Sequence, residues 1–225
     1  MSKTPSTAVR KPAAAKARKV TVPKRAANRA ERAAERRAAI VEAALDEFIA
    51  RGFTATRLDD VARRAGVAKG TIYLHFKDKE SMFEELIRTA IVPLVGRMPS
   101  PPLGGNIRDA IEGFALAFIQ EIASTRRGDI VRLIVAEGPR FPAIADFYYR
   151  EVVSHGLAGM RALIELGIAR GEIRHKNLGR FPQIMVAPAL IAVIWQSLFA
   201  KHAPLDAIEV FRVHLDLIFG ERRAA

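Results

Sequence analysis

Arg57-Leu-Asp-Asp-Val-Ala-Arg-Arg-Ala-Gly-Val-Ala-Lys-Gly-Thr-Ile-Tyr-Leu-His-Phe76 is the stretch on which the reading of this chain turns. Leu58, Val61 and Ala62 recur at helical spacing, and Ala65 extends their apolar stripe by one turn. Gly66 stands where a helix ending in a left-handed residue needs a glycine, and Val67 plugs the corner. A second short helix then runs through Lys69, Thr71, Tyr73 and His75, with Ile72 and Phe76 on its apolar side. Two short helices joined by a tight turn, the second with Lys, Thr, Tyr and His outward, predict a helix-turn-helix whose polar face enters a major groove.

Working outward, the residues Gly52-Phe53, Thr56, Asp60-Val61-Ala62, Ala65-Gly66-Val67, Lys69-Gly70-Thr71-Ile72-Tyr73, His75-Phe76, Lys79-Glu80 and Met82 follow in unbroken order and spacing. From Ile40 to Met82, about a fifth of the chain, this resembles the tetracycline-repressor (TetR) family of transcriptional regulators. Two positions depart from the family pattern. Ala68 stands where a serine or threonine usually caps the recognition helix, and it cannot accept that hydrogen bond. Arg57 replaces another common hydroxyl residue and adds a positive charge. The resemblance implies that Tyr73 and His75 bond phosphates and that the last two helices pair with their copies in a four-helix bundle. A second stretch, from Arg132 to Tyr149, carries Glu-Gly-Pro-Arg-Phe-Pro and Phe-Tyr-Tyr and is similar to the AefR-like branch of that family.

The net charge of the 225-residue chain is +12, but it is unevenly spread. Residues 1–30 hold nine bases and no acid, whereas residues 31–90 hold eleven of each and balance. Charge alone would not mark the motif region as a DNA binder. There is no cysteine, so a disulfide, a thiolate metal site and a cysteine nucleophile are all excluded. The five histidines show no metal-ligand spacing, and neither a metal nor a cofactor is expected. No nucleophile elbow and no Gly-rich phosphate loop occur, so no enzyme is predicted. The N-terminus lacks the apolar segment of a secretory signal, and a cytoplasmic protein is expected.

The expected fold class is all-α: an N-terminal three-helix DNA-binding domain followed by a helical ligand-binding and dimerisation domain. Residues 1–28, rich in Ala, Lys, Arg and Pro, predict a disordered basic tail, either an electrostatic arm on DNA or a solubilising extension. Residues 29–78 are assigned to DNA binding and residues 79–225 to the effector-binding and dimerisation domain. Arg32, Arg36 and Arg37 could clamp phosphates or form a solvated face balanced by Glu31 and Glu35. Asp78, Asn106 and Asp206 are expected N-caps, and Pro142 opens a long helix to Gly171. Phe181–Ala200 holds no charge over twenty residues, enough to span a bilayer, yet Pro182, Pro188, Gln183 and Gln196 favour a buried dimer helix.

Candidate DNA contacts are Arg57, Lys69, Gly70, Thr71, Tyr73, His75 and Lys79, of which Lys69 and Thr71 are placed to reach base edges. Phe114, Phe118, Phe147, Met160, Trp195 and Phe199 are candidate linings of an apolar effector pocket, with Glu137, Arg150 and His155 to orient the ligand. The sequence thus predicts a homodimeric, sequence-specific regulator on double-stranded DNA, a repressor released from a palindromic operator by a small apolar effector. A nonspecific architectural DNA binder driven by the tail and a membrane-anchored helical protein are the alternatives.

Overall fold

A computed structural model describes residues 24–99 and 105–221. The described residues are helical throughout and contain no strand. They fall in two compact units, one ending at Arg36 and one running from Arg37. Within the first, the exposed opening turns of helix α1 (Lys24–Ala55) carry Arg32 and Arg36. The tail read over residues 1–28 lies outside the described residues as far as residue 23, and residues 24–28 belong to α1.

The second unit begins within α1, where Ile40, Ala44, Leu45 and Phe48 are buried at helical spacing. Gly52 breaks the helix with φ of 77°, a conformation that glycine adopts without strain. Helix α2 (Leu58–Arg64) ends in two hydrogen bonds, Val67 N–H to Ala62 O at 3.0 Å and Gly66 N–H to Arg63 O at 3.3 Å. With Gly66 at φ 65°, this is the Schellman ending that the glycine implied. Helix α3 (Lys69–His75) follows, and Ala68 gives it no side-chain cap. Helix α4 (Lys79–Leu86) is opened by a capping box in which Asp78 accepts from Ser81 N–H at 2.7 Å.

From α4 the chain continues through a π turn (Ile87–Ile91) into α5 (Val92–Val95). Pro93 accounts for the widening: it has no N–H to offer, and its ring would crowd an ordinary helical turn. The C-terminal part holds α6 (Ile107–Ser124), α7 (Arg127–Glu137), and α8 (Pro142–Tyr148), which runs through a second π turn (Tyr149–Val153) into α9 (Ser154–Ala169). Helices α10 (Gln183–Phe199) and α11 (Ala207–Phe219) close the chain, capped in the case of α11 by Asp206. The stretch Pro142–Ala169 is long and apolar enough to cross a membrane by length and composition alone. Within it Ile144, Phe147, Met160, Leu163 and Ile164 are buried in the two cores, whereas Tyr149 is exposed.

Two apolar cores result. One unites Ile40, Phe48, Phe53, Val61, Ile72, Phe76 and Phe83 with Ile130, Ile134, Ile144 and Phe147, so the helix-turn-helix shares its core with α7 and α8. The other gathers Ile107, Ile111, Met160, Leu163, Met185, Phe211 and Leu215 from α6, α9, α10 and α11. Phe48, Phe53 and Phe83 meet at ring distances of 5.0–5.6 Å, and Phe141 meets Phe53 edge-on at 4.6 Å.

Because Gly66 has nothing within 4 Å of its would-be Cβ, only its backbone angle resists substitution. Gly66→Ala is expected to destabilise the fold by about 1–2 kcal/mol, the cost of a left-handed non-glycine residue. Urea unfolding checks this; an unchanged midpoint would remove the glycine from the stability argument.

Candidate nucleic-acid interface

Helix α3 is only seven residues long, too short to hold itself in water. Its placement comes from Ile72 and Phe76, 0% and 3% exposed, and from Arg37. The Arg37 guanidinium donates to His75 O at 2.9 Å, pairs with Glu85 at 2.9 Å and lies 4.3 Å over the Phe76 ring. One side chain of α1 thereby closes the carbonyl end of α3 and ties both to α4. The bond from Arg37 and that from Arg88 outweigh partial burial and hold the Glu85 carboxyl below its ordinary range.

With Ile72 turned inward, Lys69, Gly70, Tyr73 and Leu74 are exposed along α3, and Thr71 and His75 are half-buried beside them. The candidates on α3 are thus open to solvent to different degrees, and the two lysines, Lys69 and Lys79, are already engaged. Lys69 Nζ pairs with Asp59 at 2.8 Å, and this hydrogen bond and charge raise the lysine's pKa. Lys79 Nζ donates to Phe53 O at 2.8 Å and Thr54 O at 2.9 Å and sits over the Phe53 ring. It closes the end of α1, which leaves one of its three N–H donors for a phosphate. Arg57 is the exposed residue preceding α2 and makes no side-chain cap. Gly70 has a helical φ and open space around its Cβ position, so the fold itself does not require glycine there.

Behind this surface lies an ion-pair lattice. Arg64 bonds Glu47 at 2.7 Å, Arg51 pairs with Glu47 and Asp60, and Arg63 pairs with Asp60. Several of the region's acids are thus neutralised from within. The lattice reaches α7, where Arg126 bonds Glu42 at 3.1 Å and Asp46 at 2.5 Å, both on α1. Arg127 donates to Ala90 O in the first π turn at 3.0 Å. At the other end of α7, Glu137 lies against Gly52, with Oε1 3.4 Å from that glycine's Cβ position.

The pocket candidates are distributed rather than gathered. Phe118 lines a cavity of ≈ 380 Å³ with Ile122, Arg132, Ala192, Val193 and Ile208, between α6, α7, α10 and α11. Phe114 stacks beside Phe118 at 6.0 Å. His155 instead lines a separate groove with Val95, Met98 and Glu151. Phe147 and Met160 are core residues, Arg150 is exposed, and Trp195 donates to Ala203 O and meets Phe199 edge-on. Sequence reasoning missed Arg132 and the small residues Ala189 and Ala192, which leave room for the cavity. Across α10 and α11, Ile184, Leu190, Ile191, Leu198, Val213 and Leu217 are exposed apolar side chains.

Comparison with known proteins now has a geometry to meet. Residues 40–86 match the family of bacterial regulatory proteins called tetR, and residues 101–214 match a tetracyclin repressor-like C-terminal domain. The chain is 39% identical over 195 residues to the HTH-type transcriptional repressor KstR2 of Mycolicibacterium smegmatis, covering 83% of this chain and 90% of that protein. Its fold is similar to FadR of Bacillus subtilis in complex with stearoyl-CoA, at TM-score 0.64 and 19% identity over 82% of this chain and 98% of that one. It is also similar to SmeT in complex with triclosan, at TM-score 0.70 and 15% identity over 81% and 89% of the respective chains.

Asp59 holds Lys69 and adds a negative charge beside the exposed face of α3. Asp59→Asn is expected to tighten DNA binding several-fold, by freeing Lys69 and removing a negative charge from the approach to the duplex, and to alter how binding declines with salt. Titrations at several salt concentrations read both quantities; equal affinity and slope would mean that Lys69 does not meet the duplex.

Proposed function

This chain belongs to the TetR family of bacterial transcriptional regulators, and from that premise we propose that it is a repressor that a small apolar effector releases from a palindromic operator. The observation that carries this reading is the exposed face of α3, held outward by the burial of Ile72 and Phe76. On this reading residues 29–78 grip DNA and residues 79–225 sense the effector and dimerise. Lys69 and Thr71 meet base edges, while Tyr73, His75, Arg57 and the remaining donor of Lys79 meet phosphates. The protein acts in the cytoplasm, as a regulator and not as an enzyme. Placement in the AefR-like branch rests on the stretch from Arg132 to Tyr149.

Two copies reading half-sites about 34 Å apart, one helical turn, give the specificity that one seven-residue helix cannot. The exposed apolar side chains of α10 and α11 supply the pairing surface, since patches of that kind on a soluble protein mark contact sites. Ile191→Asp with Leu198→Asp is expected to leave a monomer in sedimentation that has lost operator binding. A dimer that persists would move the interface elsewhere.

The cavity beside Phe118 is within the size range of small-ligand sites and has apolar walls with Arg132 among them. An effector there would bear on α7, around whose ends Arg126, Glu137 and Phe141 meet α1 and Arg127 bonds Ala90 O in the π turn after α4. Such a ligand shifts the protein only insofar as it prefers one position of α7 over the other. FadR and SmeT supply two probes by their bound ligands, stearoyl-CoA and triclosan.

Binding to the DNA upstream of its own gene, against excess random duplex at near-physiological salt, tests the proposal. Saturable binding that survives the competitor and disappears in a Thr71→Ala, Tyr73→Ala double variant is the expected result. Binding that random DNA removes equally well, and that deletion of residues 1–23 abolishes, would replace the operator reading with a tail-driven one.

A further inference from the structure

A helix turns about 100° per residue, so the residues two before and two after a buried one project furthest from the core. In α3 the buried residue is Ile72, and the outermost ridge is therefore Gly70 and Leu74, one turn apart. Thr71 and His75 flank the ridge on one side, Lys69 and Tyr73 on the other. Leu74 is 82% exposed, the most exposed large apolar side chain in the described structure. The described residues leave most of it uncovered, and a polar residue would serve a solvated position as well. Gly70 is equally unneeded by the fold, and glycine inside a helix is less stable than alanine.

Together these two residues describe a ridge that approaches a surface closely at its first turn and presents an aliphatic group at its second. The floor of the major groove offers donors and acceptors for every base pair, and its distinctive apolar feature is the C5-methyl of thymine. We propose that Leu74 is a specificity-determining residue that reads a thymine methyl in each half-site of the operator. The inference rests on α3 being the recognition helix, and it assigns to Leu74 a base that the polar residues beside it do not determine.

Selection from randomised duplex with the full-length protein yields the preferred site. Each thymine in a half-site is then replaced by uracil, which keeps the base pairing and removes only the methyl. One symmetric pair of positions is expected to weaken wild-type binding by about fourfold per half-site, as loss of one buried methyl implies. Leu74→Ala is expected to bind thymine and uracil duplexes alike, with an unfolding midpoint nearly unchanged because so little of the side chain is covered. Leu74→Gln is expected to move the preference at that pair of positions away from thymine. If uracil has no effect at any position, or the same effect on Leu74→Ala as on wild type, the assignment of Leu74 is overturned. If no preferred site emerges at all, the recognition-helix reading fails first and takes this inference with it.

Discussion

Burial of Ile72 and Phe76 behind α3 is the constraint on which the interface depends. Two helical turns contribute too few hydrogen bonds to persist alone, so these two side chains fix where the helix lies and which way it faces. Every outward residue inherits its direction from that one inward pair. Arg37 adds an end stop: its guanidinium occupies the final carbonyl of α3 while resting on Phe76 and pairing with Glu85. This also compensates for the uncapped beginning of α3, where Ala68 offers no oxygen. The helix is secured from its far end and from beneath rather than at its start.

The same core explains how the two halves of the molecule can inform one another. Ile130, Ile134 and Phe147 are buried in one cluster with Phe48 and Ile72, so α7 and α8 are part of the packing that positions α3. Arg126 at the beginning of α7 and Phe141 just beyond its end both engage α1 or its terminus. Exposed ion pairs of the Arg126 kind are individually weak, about 0–1 kcal/mol. The aromatic contact and shared burial make the stronger linkage. A dense interior has discrete arrangements rather than a continuum, which is what a two-position regulator requires.

Much of the fold was legible in the chain because its signals are local. Gly66, Asp78, Asn106 and Pro142 each carry a turn or cap chemistry that acts within a few residues, and each does so in the structure. The π turn at Ile87–Ile91 was less legible: Pro93 announces an interruption but not whether the helix breaks, kinks or widens. The engagement of Lys69 by Asp59 and of Lys79 by the end of α1 joins residues ten and more positions apart, which no spacing rule reveals. The cavity was hidden for a different reason. Bulky residues such as Phe147 and Met160 attract attention yet fill space, whereas the room beside Phe118 exists because Ala189 and Ala192 do not. Leu74 passed unremarked because a leucine in a helix ordinarily suggests a core, and only the rotation set by Ile72 turns it outward.

The charge balance of the motif region bears on how such a protein searches a chromosome. Eleven bases offset by eleven acids between residues 31 and 90, many of them paired, give this region little hold on arbitrary phosphate. Dwell time on random sequence, which competes with the operator in vast excess, is set by that hold. The first thirty residues, with nine bases and no acid, carry most of the chain's net charge of +12. Were the tail an electrostatic arm rather than a solubilising extension, occupancy of the target and time lost on other DNA would be written into different stretches of the chain, and the number of copies a cell needs could change through the tail alone while the recognised sequence stays the same.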